Sequence, residues 1–157
     1  MIACMKVCLG GTFDPLHKGH KTLLRKAFEV AGSDGSVFIG LTSDILAKHK
    51  GTHTSFDQRK KTIEYFIKEI NTEIPVTIQP LYDIYGPAID GDFDAIVVSP
   101  ETQQTAEEIN QKRTNLEKKP LQIILIPFVL ADDKKPISST RIRNREIDEC
   151  GMVRVKE

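Results

Sequence analysis

Short apolar runs alternate with amphipathic stretches along the 157-residue chain, and that alternation limits the folds open to it. Five runs read as strands: Met5 to Leu9, Ser36 to Leu41, Pro75 to Ile78, Ala95 to Val98 and Leu121 to Ile126. Between them lie stretches with apolar residues at helical spacing. Leu23, Leu24, Ala27, Phe28 and Ala31 mark one face of a helix from Lys18 to Ala31, ended by Gly32 and Gly35. Ile63, Phe66, Ile67 and Ile70 mark a second, from Ser55 to Ile70, with Ser55 as its N-cap. A third runs from Glu101 to Glu117 and a fourth from Ser139 to Glu149, where Gly151 stops it. Tyr82 to Asp92 holds Gly86, Pro87 and Gly91 and reads as a loop. Strands separated by helices predict an α/β fold: a single Rossmann-like domain over 1–157, with a five-stranded parallel sheet and helices on both faces. Ala95 to Val98 and Leu121 to Ile126 are continuous apolar runs, expected to be buried on both sides. Residues 152–157 read as a short, weakly ordered tail.

Composition narrows the class. Lysine plus arginine and aspartate plus glutamate each total 22, so the formal charge is zero. Coating nucleic acid or an anionic membrane needs a basic excess, so neither is an expected partner. The longest apolar runs are too short to span a bilayer, and the N-terminus lacks the charged and apolar regions of a signal peptide. With three cysteines, read as buried thiols, the expected location is the cytoplasm.

In a parallel sheet of this kind, ligands sit beyond the carboxyl ends of the strands, near the point where strand order reverses. Directly after the first strand comes Gly10-Gly11-Thr12-Phe13-Asp14-Pro15-Leu16-His17-Lys18-Gly19-His20. Gly10 and Gly11 permit a sharp turn and close approach of a phosphate. Thr12 offers a hydroxyl at the strand end. His17 and His20 fall on nearly one face of a helix start, Gly19 leaves room for a ligand between them, and the free N–H groups there attract anions. His-x-x-His taken alone is more often two surface histidines, and no nearby ligand completes a zinc site. A second string, Pro136-Ile137-Ser138-Ser139-Thr140-Arg141-Ile142-Arg143, puts hydroxyls and an arginine at another helix start.

The first string resembles the G-T-F-D-x-x-H-x-G-H signature of the nucleotidyltransferase superfamily, and the second is similar to its I-S-S-T-x-[RK] signature. Members transfer a nucleoside monophosphate from a triphosphate and release pyrophosphate. Gly40-Leu41-Thr42-Ser43-Asp44, Tyr85-Gly86-Pro87-Ala88 and Asp94 through Thr102 further resemble phosphopantetheine adenylyltransferase of the archaeal and eukaryotic type. That resemblance runs from Lys6 to about Gly151. It implies transfer of the adenylyl group of ATP to 4′-phosphopantetheine, giving dephospho-coenzyme A and pyrophosphate in coenzyme A synthesis, with Mg2+ accompanying ATP. Where the bacterial branch has Gly-Leu-Arg, this chain has Ser99-Pro100-Glu101-Thr102, so the bacterial residues there and the bacterial hexamer do not carry over. The oligomeric state is left open.

The resemblance implies site roles. Thr12 positions the nucleophilic and α-phosphates, His20 stabilises the transition state and His17 holds the triphosphate. Gly10, Gly11 and Gly19 belong to the ATP site, and Ser138, Ser139, Thr140 and Arg141 grip the β- and γ-phosphates. Lys48 and Lys50 are candidates for the acceptor phosphate, with Arg59 and Lys60 weaker ones. Glu101 and Thr102 are candidates for the adenine or ribose region, and Tyr82, Asp83 and Tyr85 for the pantetheine arm. No dedicated protein metal site is expected. Lys18, Lys48, Lys50, Arg59 and Arg141 are expected to make a positive cleft in a neutral protein. Two rivals remain: a superfamily member acting on a mononucleotide, flavin phosphate or polyol phosphate, and a non-catalytic module sensing ATP or coenzyme A. A dinucleotide oxidoreductase is excluded, because no G-x-G-x-x-G follows the first strand.

Overall fold

A computed structural model describes residues 4–70 and 73–155. Its centre is a parallel sheet of β1 (Lys6–Gly11), β2 (Ser36–Thr42), β3 (Val76–Leu81), β4 (Ala95–Val98) and β5 (Gln122–Leu125), in the order β3-β2-β1-β4-β5. The chain winds outward from β1 to β3, then restarts on the other side of β1 with β4. The order therefore reverses between β1 and β4, and this pair opens the crevice that the fold uses for ligands.

The alternation of side chains along each strand divides the core in two. Val7, Leu9, Val37, Ile39, Ala95 and Val97 face α1 (Lys18–Ala31) and α3 (Phe56–Ile70), which contribute Leu24, Ala27, Ile63 and Phe66. Cys8, Ile96 and Val98 face the other way, against Ala106 and Ile109 of α4 (Gln103–Asn115). A third, smaller cluster of Ala131, Ile137, Ile142 and Ile147 anchors the C-terminal segment.

Several boundaries differ from the sequence reading. β3 continues through Pro80 to Leu81, which an edge strand tolerates because proline lacks only a donor. β5 is also an edge strand: Ile123 and Ile124 pack on opposite clusters but are only partly buried, and Gln122 and Leu125 at its two ends are exposed. The six-residue helix α2 (Asp44–His49), capped by the Ser43 hydroxyl, stands where no helix was predicted. The last helix, α5 (Ser139–Arg143), spans five residues rather than reaching Glu149. Asn144 caps it, Arg145 turns left-handed at φ 61, and Ile147 is thereby delivered into the third cluster. The tail is tied back as far as it is described, by an antiparallel bridge between Ile147 and Val153 and by the Arg154 N–H donating to Glu146. Lys156 and Glu157 lie outside the described residues. Of the cysteines, only Cys8 is buried; Cys4 and Cys150 are exposed. Among the described residues, no helix is long and apolar enough to cross a membrane.

Candidate active site

A cleft of about 410 Å³ opens at the carboxyl ends of β1, β4 and β5. Both sequence strings meet there. Gly10, Gly11, Thr12, His17, Gly19 and His20 form one wall, and Ser138, Ser139 and Thr140 form another. Ser99 to Thr102 closes the side beyond β4, so Glu101 and Thr102 also line the cleft.

The histidines are held by each other. The Gly19 and His20 N–H groups donate to His17 Nδ1 (3.0 and 3.3 Å), and the His17 N–H donates to His20 Nδ1 (3.3 Å). This is a capping box made of two imidazoles. The rings stack with centroids 3.7 Å apart, and Phe13 packs on His20 at 5.0 Å. Because each Nδ1 receives a backbone N–H, each ring carries its proton on Nε2. Burial lowers the His17 pKa to about 4. Burial, and next the charge of His17, lowers that of His20 to about 3, with the Pro15 carbonyl acting in the opposite direction. Both rings are therefore neutral N–H donors at physiological pH.

This arrangement changes two sequence expectations. The N–H groups of the first turn of α1 are already satisfied: Lys18 donates to Glu149, and Gly19 and His20 to His17. The helix end thus presents imidazoles to an anion in place of bare amides. Gly19 is small for the sake of His17, because a Cβ there would lie 2.8 Å from the His17 ring.

The charged residues sort differently from the sequence reading. Arg141 does not line the cleft. Its guanidinium donates to the Pro136 carbonyl and pairs with Asp133 and Glu146. Arg143, two residues on, lines the cleft and donates to the Asp14 carbonyl (3.3 Å) and Thr140 Oγ1 (3.4 Å). The i, i+3 spacing from Thr140 was the signal for it. Lys50 lines the cleft; Lys48, Lys18 and Lys60 do not. Arg59 is 1% exposed beneath the floor and cannot reach a ligand. Lys50 and Arg143 are balanced on the lining by Asp14 and Glu101, so the expected positive cleft is formally neutral. Its affinity for anions must come from oriented donors. Thr52, which the sequence reading passed over, adds a free one: its hydroxyl is buried on the lining with no hydrogen-bond partner among the described residues.

A second, apolar cavity of about 120 Å³ adjoins the cleft and shares Gly10, Gly11, Lys50 and Thr102 with it. Leu46, Leu81, Ile84, Tyr85, Phe93 and Ile109 surround it. Of the three residues considered for an arm site, Tyr85 lines this cavity and its hydroxyl donates to Glu108 (2.8 Å). Asp83 instead accepts from the Tyr85 and Gly86 N–H groups, fixing the turn, and Tyr82 points to solvent. The strand glycines make room here, since a Cβ on Gly40 would lie 2.6 Å from Leu81.

Comparison with known proteins agrees with this geometry. The cytidylyltransferase-like family model matches residues 8–145. A phosphopantetheine adenylyltransferase of Methanosarcina mazei is 47% identical over 95% of this chain and 97% of its own length. One from Archaeoglobus fulgidus is 41% identical over 95% and 99%. A crystal structure of an Archaeoglobus fulgidus protein of unknown function superposes with a TM-score of 0.69 at 39% identity, covering 78% of this chain and 89% of that one. The matched span holds both strings and every strand but the first two residues of β1, and the chain belongs to the cytidylyltransferase-like family and, within it, to the phosphopantetheine adenylyltransferases.

Proposed function

We propose that the chain transfers the adenylyl group of ATP to 4′-phosphopantetheine, releasing pyrophosphate and forming dephospho-coenzyme A. The observation that carries this reading is the pairing of a donor-lined cleft with an apolar cavity across one shared wall. A mononucleotide acceptor has no use for the cavity. An acceptor with a phosphate at one end and a long, weakly polar arm fits both compartments.

The chemistry needs no general base. A phosphate monoester is largely dianionic at neutral pH, since its second pKa is about 6. It attacks the α-phosphorus of ATP while the bond to the pyrophosphate breaks. Catalysis then consists of holding two anions in line and stabilising charge on the transferred group. The His20 and His17 Nε2–H groups donate to the phosphates of the nucleotide, with His20 nearest the developing charge. Thr12 donates where attacking and transferred phosphates meet. Gly10, Gly11 and Gly19 let the chain approach closely. Ser138, Ser139, Thr140 and Arg143 hold the outer phosphates, Arg143 taking the place first given to Arg141. Lys50 and Thr52 receive the acceptor phosphate at the mouth of the apolar cavity.

The metal is Mg2+, carried in on the triphosphate. Among the described residues, no group of three or more His, Cys, Asp or Glu side chains could cage an ion. This donor set suits Mg2+, which keeps water and phosphate oxygens and takes only one or two carboxylates. Asp14 and Glu101 are the carboxylates on the lining. When bound, the ion offsets charge on the triphosphate and its leaving group. We assign the work to a single domain and, from the three free cysteines, to the cytoplasm.

The test is pyrophosphate release from ATP and magnesium with a panel of phosphorylated acceptors. Release with phosphopantetheine alone is expected. Release only with a mononucleotide, flavin phosphate or polyol phosphate would replace this reading with another superfamily activity. Tight ATP binding without release would make the chain a sensor.

A further inference from the structure

The buried guanidinium of Arg59 touches no ligand, yet it lies one hydroxyl behind the site. Its Nη1 donates to the Thr12 carbonyl (3.2 Å) and to Thr42 Oγ1 (3.1 Å), and its Nε to the Thr54 carbonyl (2.9 Å). Thr42 Oγ1 in turn donates to Thr12 Oγ1 (3.2 Å). Direction in this chain is fixed by chemistry. A guanidinium has donors and no acceptor, so Thr42 must accept from it. The Thr42 proton goes to Thr12, filling one of the two acceptor sites on that oxygen, so the Thr12 proton must point away from Thr42. The remaining proton on the Thr12 hydroxyl has no protein partner among the described residues, and Thr12 lines the cleft.

We propose that Arg59 and Thr42 are positioning residues that orient the Thr12 hydroxyl as a hydrogen-bond donor toward the reacting phosphates. A threonine rotor alone has one donor and two acceptor sites and takes whichever partner is nearest. Here the lone pair facing Thr42 is already used, so the proton is turned away from Thr42 and toward the cleft. For two anionic substrates that polarity matters: an outward lone pair would repel both. Arg59 also pins the Thr12 carbonyl directly before Phe13, whose φ of 52 departs from the ordinary range, so backbone and hydroxyl are held by one side chain. Among the described residues, Asp44 pairs with the guanidinium, its Oδ1 accepting from Nη2 at 3.5 Å from an exposed position. The guanidinium stands behind the hydroxyls, where its charge favours negative charge in front of them.

This inference rests on the proposed adenylyl transfer, and the experiment separates the two. Thr42→Val removes the hydroxyl and keeps the shape, whereas Thr42→Ser keeps the hydroxyl. With Thr42→Val, kcat should fall on the order of tenfold, less than the 10²–10³ seen on losing a direct donor. KM for ATP and the Kd for magnesium-ATP by calorimetry should move about threefold at most. Thr42→Ser should restore both to near the wild-type values. Arg59→Lys, which keeps the charge without the fork, should fall between them. Equal kcat in Thr42→Val and wild type would overturn the relay. So would equal losses in Val and Ser, or a kcat that merely tracks Tm across the series. Absence of pyrophosphate release in the wild type would overturn the adenylyl transfer, and with it the relay that rests on it, whereas an active wild type with an unaffected Thr42→Val overturns the relay alone.

Discussion

The cleft and the cavity share four residues and little else. On the cleft side, several polar groups are oriented before a ligand arrives: His17 and His20 by each other, Ser138 by the Arg141 N–H, and Thr12 by Thr42. On the cavity side, the lining is aliphatic and aromatic, and the polar groups nearby spend themselves on the wall, as in the Tyr85 to Glu108 bond. Preorganised donors act on developing charge and govern rate, whereas apolar area acts equally on ground and transition states and governs affinity. The two halves of one site should therefore fail in different ways.

The largest effect is expected at the cleft. His20→Ala removes a donor aimed at the transferred phosphate and should lower kcat by about 10²–10³. The ring is half-buried at a helix start, so circular dichroism should still report a folded protein. A near-normal rate would mean that His20 is only a cap. On the cavity side, Ile84→Asp puts a charge on a rim position that is 49% exposed and so is compatible with folding. KM for phosphopantetheine should rise about tenfold, the equivalent of ~1.4 kcal/mol, with KM for ATP unchanged. If both constants moved together, the two compartments would not be separate subsites.

A third effect bears on stability and concerns acid. The folded pKa of His17, about 4, lies below its ordinary value of 6.5. The unfolded chain then binds the proton first, so stability falls as pH drops through 6.5 and levels off near the folded value. At about pH 5 the loss from this one group is about 2 kcal/mol. His17→Asn keeps a capping side chain but does not titrate. Its Tm should fall less than the wild type's between about pH 7 and pH 5. Parallel curves would show that the ring is not held neutral.

Legibility in the sequence followed the range of the interactions involved. α1 has the predicted bounds because its apolar stripe, its cap and the glycine behind it are all local. The two strings could be read as a site because they were matched as wholes. Features set by distant partners were misread. Arg59 looks like one more surface cation on an amphipathic helix; only Thr12, 47 residues away, and Thr42 reveal its role. Arg141 and Arg143 differ by two positions on one short helix, and Asp133 decides which of them is turned aside. α2 is too short for a periodic signal, and α5 ends early because Ile147 is needed elsewhere. Gly19 was read as space for a ligand, when the occupant of that space is a residue two positions before it.

Pro80 bears on how this sheet meets other chains. The carbonyls of Pro75 and Leu81 accept from Val37 and Ser43, so the odd-numbered residues of β3 aim their backbone at β2 and the even-numbered ones aim outward. Pro80 is among the latter. Any polypeptide trying to extend the ladder along this margin would find a ring where it needs an N–H, and at the opposite margin a strand of only four residues. A parallel sheet, which forms slowly and leaves its borders open meanwhile, is thus guarded against recruiting its neighbours in a crowded cell.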